Sequence, residues 1–224
     1  MTWTHDEALA LVRRTKLVAI LRGVPMERVP GVVRALVDGG VRVLEFTFDH
    51  GAPDCVARNA EKIRWCAQEY GDRVAVGCGT ALSVEEVEAA KEAGACLVIT
   101  PNVNPEVIAR ARALDMVAMP GALTPTEIEQ AYRLGADIVK LFPAGEMGLG
   151  YIRAVRGPLG FIPMSAVGGV KPENVADFLD AGVCGFGVGG PLVLSAAVKS
   201  GDDAAIERRA KEFTEAIAAS EAGR

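Results

Sequence analysis

Two charged residues stand inside runs that otherwise have the pattern of buried strands. Lys140 interrupts the apolar run 137–143, and Glu45 lies near the end of the run 41–46. Strands buried on both faces are near-continuous apolar runs, and an ammonium group inside one is costly. Burial and nearby cations favour the neutral, nucleophilic form of such a lysine. The pair predicts carbonyl chemistry through a Schiff base, while the alternative interpretation is a salt bridge in the barrel interior.

Composition limits the classes of function. The chain has 224 residues, half of them apolar, which suits one α/β barrel or two small domains. A net charge of −5 without a basic block argues against a nucleic-acid partner. The longest apolar stretches are strand-sized, and the first residues lack the basic start and apolar core of a signal peptide. We therefore expect no membrane partner and a cytoplasmic location.

Cysteine and histidine usage argues against disulfides and metals. The five cysteines form no C-x-x-C pair, and their odd number argues against a disulfide framework. Cys78, Cys96 and Cys184 lie in apolar strands, where packing is their expected role. With only His5 and His50, a histidine-rich metal site is not expected. No metal or organic cofactor is implied, because the lysine itself would activate the carbonyl.

Short apolar runs alternate with amphipathic stretches along the whole chain. The predicted strands are 17–21, 41–46, 74–78, 96–100, 116–119, 138–142, 161–166 and 183–188. Capping signals at Ser83 and Thr124, and glycines before the strands, support helices in between. Eight such units without a linker predict an α/β fold, a single (β/α)8 TIM barrel over residues 1–224. A doubly wound open sheet is the alternative. An extra helix over about residues 4–15 is expected to close the bottom of the barrel or dock beside it.

Active sites of such barrels lie at the carboxyl ends of the strands, where several polar residues fall. Lys140 could form an imine with a 2-oxo acid, and Glu45 could move the protons. Arg22 and Thr80 could hold the substrate carboxylate. Pro101 and Phe142 could wall the pyruvyl methyl group. The alternatives are an Arg22–Glu45 ion pair and a helix-capping role for Thr80.

Two glycine pairs follow the last two strands, where barrels commonly bind phosphate on backbone amides. They are Gly168-Gly169 and Gly189-Gly190. Either pair could instead serve a tight turn, because glycine adopts conformations closed to other residues. Asp49 follows the second strand and could contact substrate hydroxyls or belong to a solvated loop.

These motifs together resemble a known family. The segments that carry the resemblance are Val43-Leu44-Glu45, Gly77-Cys78-Gly79-Thr80, Ile99-Thr100-Pro101-Asn102, Val139-Lys140-Leu141-Phe142-Pro143-Ala144 and Val167-Gly168-Gly169-Val170. The chain resembles the 2-keto-3-deoxy-6-phosphogluconate (KDPG) and 4-hydroxy-2-oxoglutarate (KHG) aldolases. This resemblance implies a class I aldolase barrel that forms homotrimers. It also implies that Lys140 forms the imine and Glu45 is the acid/base. Arg22 and Thr80 would line the substrate site, and Gly168 and Gly169 would supply phosphate-binding amides.

Three positions depart from the phosphogluconate enzymes. Asp49 stands where they carry an arginine, Val167 where they tend to have threonine, and Gly190 where a serine is expected. The valine and the Thr-Pro-Asn segment look more like the aldolase for the galactonate epimer. A carboxylate at Asp49 would repel a substrate carboxylate unless it points away or contacts hydroxyls.

The leading hypothesis is a class I aldolase that cleaves a small 2-keto-3-deoxy sugar acid, with a 6-phosphate, or 4-hydroxy-2-oxoglutarate. The products would be pyruvate and an aldehyde. A phosphosugar isomerase or epimerase on the same barrel is an alternative, since it needs an acid/base pair but no imine lysine. A catalytically silent barrel that binds sugar acids is another, because fold alone does not fix function.

Overall fold

The fold is described from a computed structural model, which covers residues 3–222. Its parallel strands are β1 Leu17–Leu21, β2 Val43–Thr47, β3 Ala75–Gly79, β4 Leu97–Ile99, β5 Val117–Met119, β6 Gly121–Ala122, β7 Val139–Leu141, β8 Met164–Val167 and β9 Gly185–Val188. They form one sheet in the order β5-β4-β3-β2-β1-β9-β8-β7-β6. The predicted α/β barrel is confirmed, and the open doubly wound sheet is wrong.

The sequence predicted eight strands, whereas the sheet contains nine strand segments. The fifth strand, predicted to end at residue 119, continues beyond Pro120 as a second segment, and the two are separate because proline has no N–H to donate to a ladder. Its first part, β5, pairs with β4, and its second part, β6, pairs with β7. The Pro120 carbonyl still accepts a hydrogen bond from Lys140 N at 2.9 Å. The divided strand therefore joins the two edges of the sheet and closes the barrel.

Helices alternate with the strands and surround them. They are α1 His5–Thr15, α2 Val29–Asp38, α3 Cys55–Tyr70, α4 Val84–Glu92, α5 Pro105–Ala113, α6 Pro125–Arg133, α7 Ala144–Leu159, α8 Val175–Asp180, α9 Ser195–Ser200 and α10 Asp203–Ala222. Ser83 and Thr124 each cap a helix in a reciprocal box with Glu86 and Glu127, as their spacing predicts. Within residues 3–222, no helix has the length and apolar character to span a membrane.

Successive strand residues point alternately to two separate cores, as the two-residue period of a strand requires. One core lies between the strands and the outer helices, and it includes Leu44, Phe46, Val139 and Leu141. The other fills the barrel interior. Its strand residues are Val18, Val43, Ala75, Leu97, Ile99, Val117 and Met119, and it also includes Cys96 and Ile138, which immediately precede β4 and β7. Lys140 and Glu45 lie between outward-facing neighbours, so both side chains point into the barrel.

Helix α1 closes the amino-terminal end of the barrel. Its buried residues Ala8, Leu9, Leu11 and Val12 belong to the interior core rather than to the outer one. Thr4 caps the helix in a box with Glu7. Of the two predicted placements for this helix, the one that closes the bottom is confirmed. The interior is thereby closed below by apolar side chains, and the buried polar residues Glu45, Lys140 and Ser165 lie on the strands above them.

Candidate active site

Lys140 and Glu45 meet inside the upper half of the barrel. The side chain of Lys140 is held by β7, one step above Ile138, and Glu45 is held by β2, one step above Val43. The residues are only 5% and 1% exposed. Three strands, β1, β9 and β8, separate β2 from β7 in the sheet, so the two side chains approach each other from opposite walls of the barrel. A buried amine therefore faces a buried carboxyl group, and the two are near enough for their charges to interact.

Burial governs the protonation of both groups. It raises the pKa of the Glu45 carboxyl, against the opposing pull of Lys140 and Arg22. It also lowers the pKa of Lys140, an effect that Arg22 reinforces and Glu45 opposes. Each shift favours the neutral form, because desolvation penalises charge. The arrangement therefore favours a nucleophilic amine facing a carboxylic acid that can donate a proton.

The Glu45 carboxyl is positioned by the glycine beside it rather than by hydrogen bonds to both of its oxygens. Its Oε1 atom is buried and has no hydrogen-bond partner in the described chain. A β-carbon at Gly79 would lie 1.8 Å from that oxygen. Glycine at this position is thus what allows the carboxyl group to lie against β3. An unpaired buried oxygen is costly unless a ligand or water pairs with it.

A cavity of about 460 Å³ opens above the lysine. Its lining consists of Ile20, Arg22, Thr80, Pro101, Lys140, Phe142, Val167, Gly168, Gly187, Gly189, Gly190 and Pro191. Most of the sequence-predicted site residues are therefore brought together, from six different strands or strand ends. The Nζ atom of Lys140 lies 5.4 Å from the centre of the Phe142 ring, which is itself 43% exposed. The volume lies within the range of small-molecule sites, roughly 300–1,000 Å³.

Arg22 and Thr80 contact each other at the rim of this cavity. One guanidinium nitrogen of Arg22 donates to Thr80 Oγ1 at 3.3 Å. Thr80 has a φ of 57°, in the left-handed region that β-branched residues rarely adopt. Such backbone strain is concentrated at functional sites. Thr80 does not cap α4, because Ser83 does, so the helix-cap alternative for Thr80 is wrong.

Two residues after the second strand lie elsewhere. Asp49 does not line the cavity above Lys140 but a separate one of about 90 Å³, beside Thr47, Asn59 and Lys62. Its own carboxylate accepts from Gly51 N at 3.2 Å. His50 contacts Glu86 Oε1 through Nε2 at 2.6 Å, so it ties the loop after β2 to the start of α4.

The first glycine pair forms a left-handed loop against the start of α7. Gly168 and Gly169 have φ values of 93° and 73°. The Gly168 carbonyl accepts from Gly145 N at 3.0 Å, and the Gly169 carbonyl accepts from Asn174 Nδ2 at 2.9 Å. A β-carbon on Gly169 would lie 2.7 Å from the Gly145 Cα. Both carbonyls are thus used by the protein, although only Gly168 of the pair lines the cavity.

Several site residues were missed from the sequence. Ser165 of β8 is the register partner of Lys140 and, like it, faces inward. It is 2% exposed, and its hydroxyl has no hydrogen-bond partner among the described residues. Gly77, Gly79, Gly185 and Gly187 occupy inward positions of β3 and β9 and so remove side-chain volume from the interior. The two-residue strand period, applied outward from Lys140, could have located them.

Other reactive groups do not compete with the lysine. Burial raises the pKa of the Cys66 and Cys96 thiols to about 12. It also raises the pKa of Cys78, and the charge of Glu45 adds to that rise. Thiols of this kind are inert at neutral pH. In residues 3–222, no group of three or more His, Cys, Asp or Glu side chains is arranged to hold a metal ion.

Fold and site together define a (β/α)8-barrel enzyme whose reactive groups are an amine and a carboxyl. A model of the KDPG and KHG aldolases matches residues 9–209. The 2-dehydro-3-deoxy-6-phosphogalactonate aldolase of Escherichia coli K12 is 37% identical over 177 residues, 79% of this chain and 83% of that protein. The 2-dehydro-3-deoxy-phosphogluconate aldolase of Treponema pallidum is 36% identical over 79% of this chain and 80% of that protein. The protein described here therefore belongs to the KDPG and KHG aldolase family.

A solved structure supports the same assignment in three dimensions. It is described as native KDPGal, is 32% identical, and superposes with a TM-score of 0.83 over 99% of this chain and 100% of its own. The sequence-based identification of the family is confirmed, with relatives in both the galactonate and the gluconate branch. The protein is an aldolase, a carbon–carbon lyase.

Proposed function

We propose that this protein cleaves a 6-phosphorylated 2-keto-3-deoxy sugar acid to pyruvate and a phosphorylated aldehyde through an imine on Lys140. The observation that carries the proposal is the buried amine of Lys140 facing the buried carboxyl of Glu45 beneath a cavity large enough for such an acid. 4-Hydroxy-2-oxoglutarate is the second substrate that we propose. The galactonate epimer is favoured over the gluconate one by Val167, which lines the cavity with methyl groups instead of a hydroxyl.

Imine formation begins with attack of the neutral Lys140 amine on the C2 carbonyl carbon. The C–N bond forms, the carbonyl π electrons move to oxygen, and the resulting carbinolamine loses water to give a protonated imine. Glu45 in its acid form can supply the proton that the departing hydroxyl needs. The surrounding apolar wall keeps competing water away from the imine carbon.

Carbon–carbon cleavage then uses the imine as an electron acceptor. The positive charge of the protonated imine favours ionisation of Glu45, which had been disfavoured by burial. The Glu45 carboxylate removes the C4 hydroxyl proton, the C4 oxygen forms a carbonyl, and the C3–C4 bond breaks. Its electron pair moves to the imine nitrogen and leaves an enamine. Glu45 returns the proton to C3, and hydrolysis of the imine releases pyruvate and the free lysine.

The two ends of the substrate have different partners in this proposal. Arg22 and Thr80 hold the carboxylate at the rim, and Pro101 and Phe142 wall the pyruvyl methyl group. The phosphate binds to amide N–H groups of Gly168, Gly169, Gly189 and Gly190. Protein donors already occupy the carbonyls of Gly168 and Gly169, so their N–H groups are what this loop can offer an anion. Asp49 lines the separate cavity of about 90 Å³, so this proposal gives it no contact with the substrate.

Oligomeric state and location belong to the same proposal. We infer a homotrimer, the assembly that the family resemblance implies. Phe161 is 64% exposed and meets the exposed Tyr132 edge to face at 5.6 Å, an apolar pair that a neighbouring subunit could cover. All five cysteines are free thiols, which favours the reducing cytoplasm. Sedimentation equilibrium would test the trimer, and a monomer at micromolar concentration would contradict it.

Borohydride trapping with pyruvate tests the imine directly. Reduction should leave one pyruvate-derived adduct, and peptide mapping should place it on Lys140. Lys140→Ala should give no adduct, while Lys91→Ala, which changes a lysine at the end of α4, should react like the parent. No adduct in the folded parent protein would instead favour the isomerase or the binding protein. The paired gluconate and galactonate substrates, each with and without phosphate, then identify the preferred acid by kcat/KM.

A further inference from the structure

A second cavity adjoins the one above Lys140, and Arg22 lines both. Its volume is about 400 Å³, against about 460 Å³ for the reaction cavity. It lies between the loop that follows β1 and the segment that leads from β9 into α9. The proposed reaction does not use this space, although its volume alone would hold a small metabolite.

The walls of this second cavity are apolar and its rim is polar. Val24, Val193 and Val198 are each less than one-tenth exposed and supply the apolar surface. Ser195 and Lys199 are exposed at the rim. Mostly apolar walls with a few polar groups are typical of sites that bind organic molecules. The lining therefore suits a ligand with a compact carbon skeleton and one charged end.

The charges around the cavity favour an anion. Arg28 is neutralised by Asp203 and donates through Nε to the Val198 carbonyl at 2.9 Å, so it fastens the wall instead of facing a ligand. Glu27 interacts electrostatically with Lys62. Lys199 has no ion-pair partner among residues 3–222. Lys199 and Arg22 carry two positive charges against the one negative charge of Glu27, so the lining has a net positive charge in a chain whose net charge is −5.

We propose that the second cavity binds a small organic phosphate. The phosphate lies between the Arg22 guanidinium and the Lys199 ammonium, the Ser195 hydroxyl donates a third hydrogen bond, and the carbon skeleton covers the three valines. Arginine and lysine together match a phosphate dianion in charge, and arginine supplies paired donors.

Occupancy of this site would act on catalysis through Arg22. The Arg22–Thr80 hydrogen bond is long, at 3.3 Å, and the arginine is exposed. An anion in the second cavity attracts the guanidinium away from the reaction cavity and weakens its hold on the substrate carboxylate. Two ligands coupled in this way weaken each other equally. This step rests on the proposed function, whereas binding in the second cavity does not.

Titration calorimetry on the whole protein tests the binding. The probes are propylphosphonate and inorganic phosphate, and the variant is Ser195→Ala with Lys199→Ala. Each buried methylene adds about 0.8 kcal/mol, or close to fourfold in affinity, so propylphosphonate should bind several-fold more tightly than phosphate. The double variant should bind propylphosphonate about tenfold more weakly, because two charge-assisted or hydroxyl contacts are lost. Lys171→Ala, a lysine change beside a different cavity, should bind like the parent. Equal affinity in the parent and the double variant would overturn the site, and equal affinity for the two probes would overturn the organic ligand.

Pyruvate proton exchange with deuterium tests the coupling. Exchange needs Lys140 and Glu45, but pyruvate has no phosphate group. A probe that binds at the glycine loops therefore does not compete with pyruvate. Propylphosphonate should raise KM for pyruvate and leave kcat unchanged, and the double variant should exchange at the parent rate and resist the probe. Binding without an effect on exchange would overturn the coupling. A parent protein that exchanges no deuterium would overturn the proposed function instead, and calorimetry alone would then decide the second site.

Discussion

The lower and upper halves of the barrel interior are built on the same strands and differ in the polarity and the packing of their side chains. Below, aliphatic side chains such as Val43 and Ile138 pack against α1 and are almost fully buried. Above, a single two-residue step along the same two strands reaches Glu45 and Lys140. The inward positions of β3 and β9 are glycine there, so space replaces side chains.

This difference separates stability from chemistry along one axis of the fold. The sealed lower half contributes apolar burial, and the outer helices hold the strands in place. The upper half contains an amine, a carboxyl with an unpaired oxygen and an unpaired hydroxyl on Ser165, all of which are unfavourable to bury. The upper groups are therefore expected to cost stability while they supply activity, and the lower ones to do the reverse.

Lys140→Met should separate the two properties most strongly. Turnover should be lost, and the free energy of unfolding at neutral pH should increase, because an apolar chain replaces a buried amine. In the folded protein the pKa of Lys140 is lowered from 10.5, the value in the unfolded chain. At a pH between the folded and unfolded pKa, Lys140 is protonated in the unfolded chain and neutral in the folded one, so the parent protein gains stability as pH rises. The variant's advantage should therefore shrink as pH approaches 10.5. Urea unfolding across this pH range measures it, and a less stable variant at pH 7 would contradict the comparison.

Leu11→Ala should give the opposite pattern in the lower half. Leu11 of α1 is buried in the interior core at the closed end of the barrel, so its truncation should lower the free energy of unfolding by about 2–5 kcal/mol. At a temperature where the variant is folded, kcat should stay near the parent value. Chemical unfolding and steady-state assays on the same preparation provide the two numbers. A large fall in kcat with little loss of stability would show that the halves are not independent.

Gly79→Ala should displace the Glu45 carboxyl group without changing Glu45 itself. The new β-carbon would meet Glu45 Oε1 at 1.8 Å, so the side chain must move. A misplaced acid/base group should reduce kcat at least about tenfold, since general acid–base catalysis contributes about 10²–10⁴-fold. Gly150→Ala is the matched control, because its β-carbon would meet nothing within 4 Å. Unchanged kcat for both variants would place the proton transfer elsewhere.

The smallest expected effects are two opposite shifts in pH dependence. The Glu45 carboxyl raises the pKa of Lys140 and the Arg22 guanidinium lowers it. Imine formation should therefore reach its half-maximal rate at a lower pH in Glu45→Gln and at a higher pH in Arg22→Met. Initial rates of borohydride trapping as a function of pH report the two midpoints. Shifts in the same direction in both variants would show that the charges do not act on Lys140 directly.

The sequence predicted the barrel well because its strands are buried on both faces and its helices carry local caps. The segment β6 was missed because the predicted fifth strand ends before Pro120, and Gly121-Ala122 becomes a strand only through its pairing with β7. Helices α9 and α10 were not predicted, since α10 is buried by packing against α2 and α8 rather than by a strong apolar stripe of its own, and α9 packs against α10.

The candidate site was predicted to the extent that it lies at strand ends. The cavity contains Arg22, Thr80 and Lys140 because parallel strands bring their carboxyl ends together. Asp49 lies two residues beyond the end of β2, and the local turn at Gly51 directs it to another cavity. Ser165 was not predicted, because a serine within an apolar strand has no distinctive sequence pattern. Only the strand register places it beside Lys140. The pairing of His50 with Glu86 depends on two loops that meet only in the folded chain.

The contact between Gly145 and Gly169 has a consequence for engineering. Helix α7 begins four residues after Lys140, and its second residue, Gly145, touches Gly169 so closely that neither glycine can carry a side chain. A mutant library could vary the Gly168-Gly169 loop so that the enzyme accepts unphosphorylated substrates. Any change at Gly145 or Gly169 in such a library would displace β7, the strand that carries Lys140. Variation at Val167 and Gly190 avoids that contact, since a β-carbon on Gly190 meets no atom within 4 Å. Directed evolution of substrate range should therefore succeed at those two positions and stall at the glycine contact.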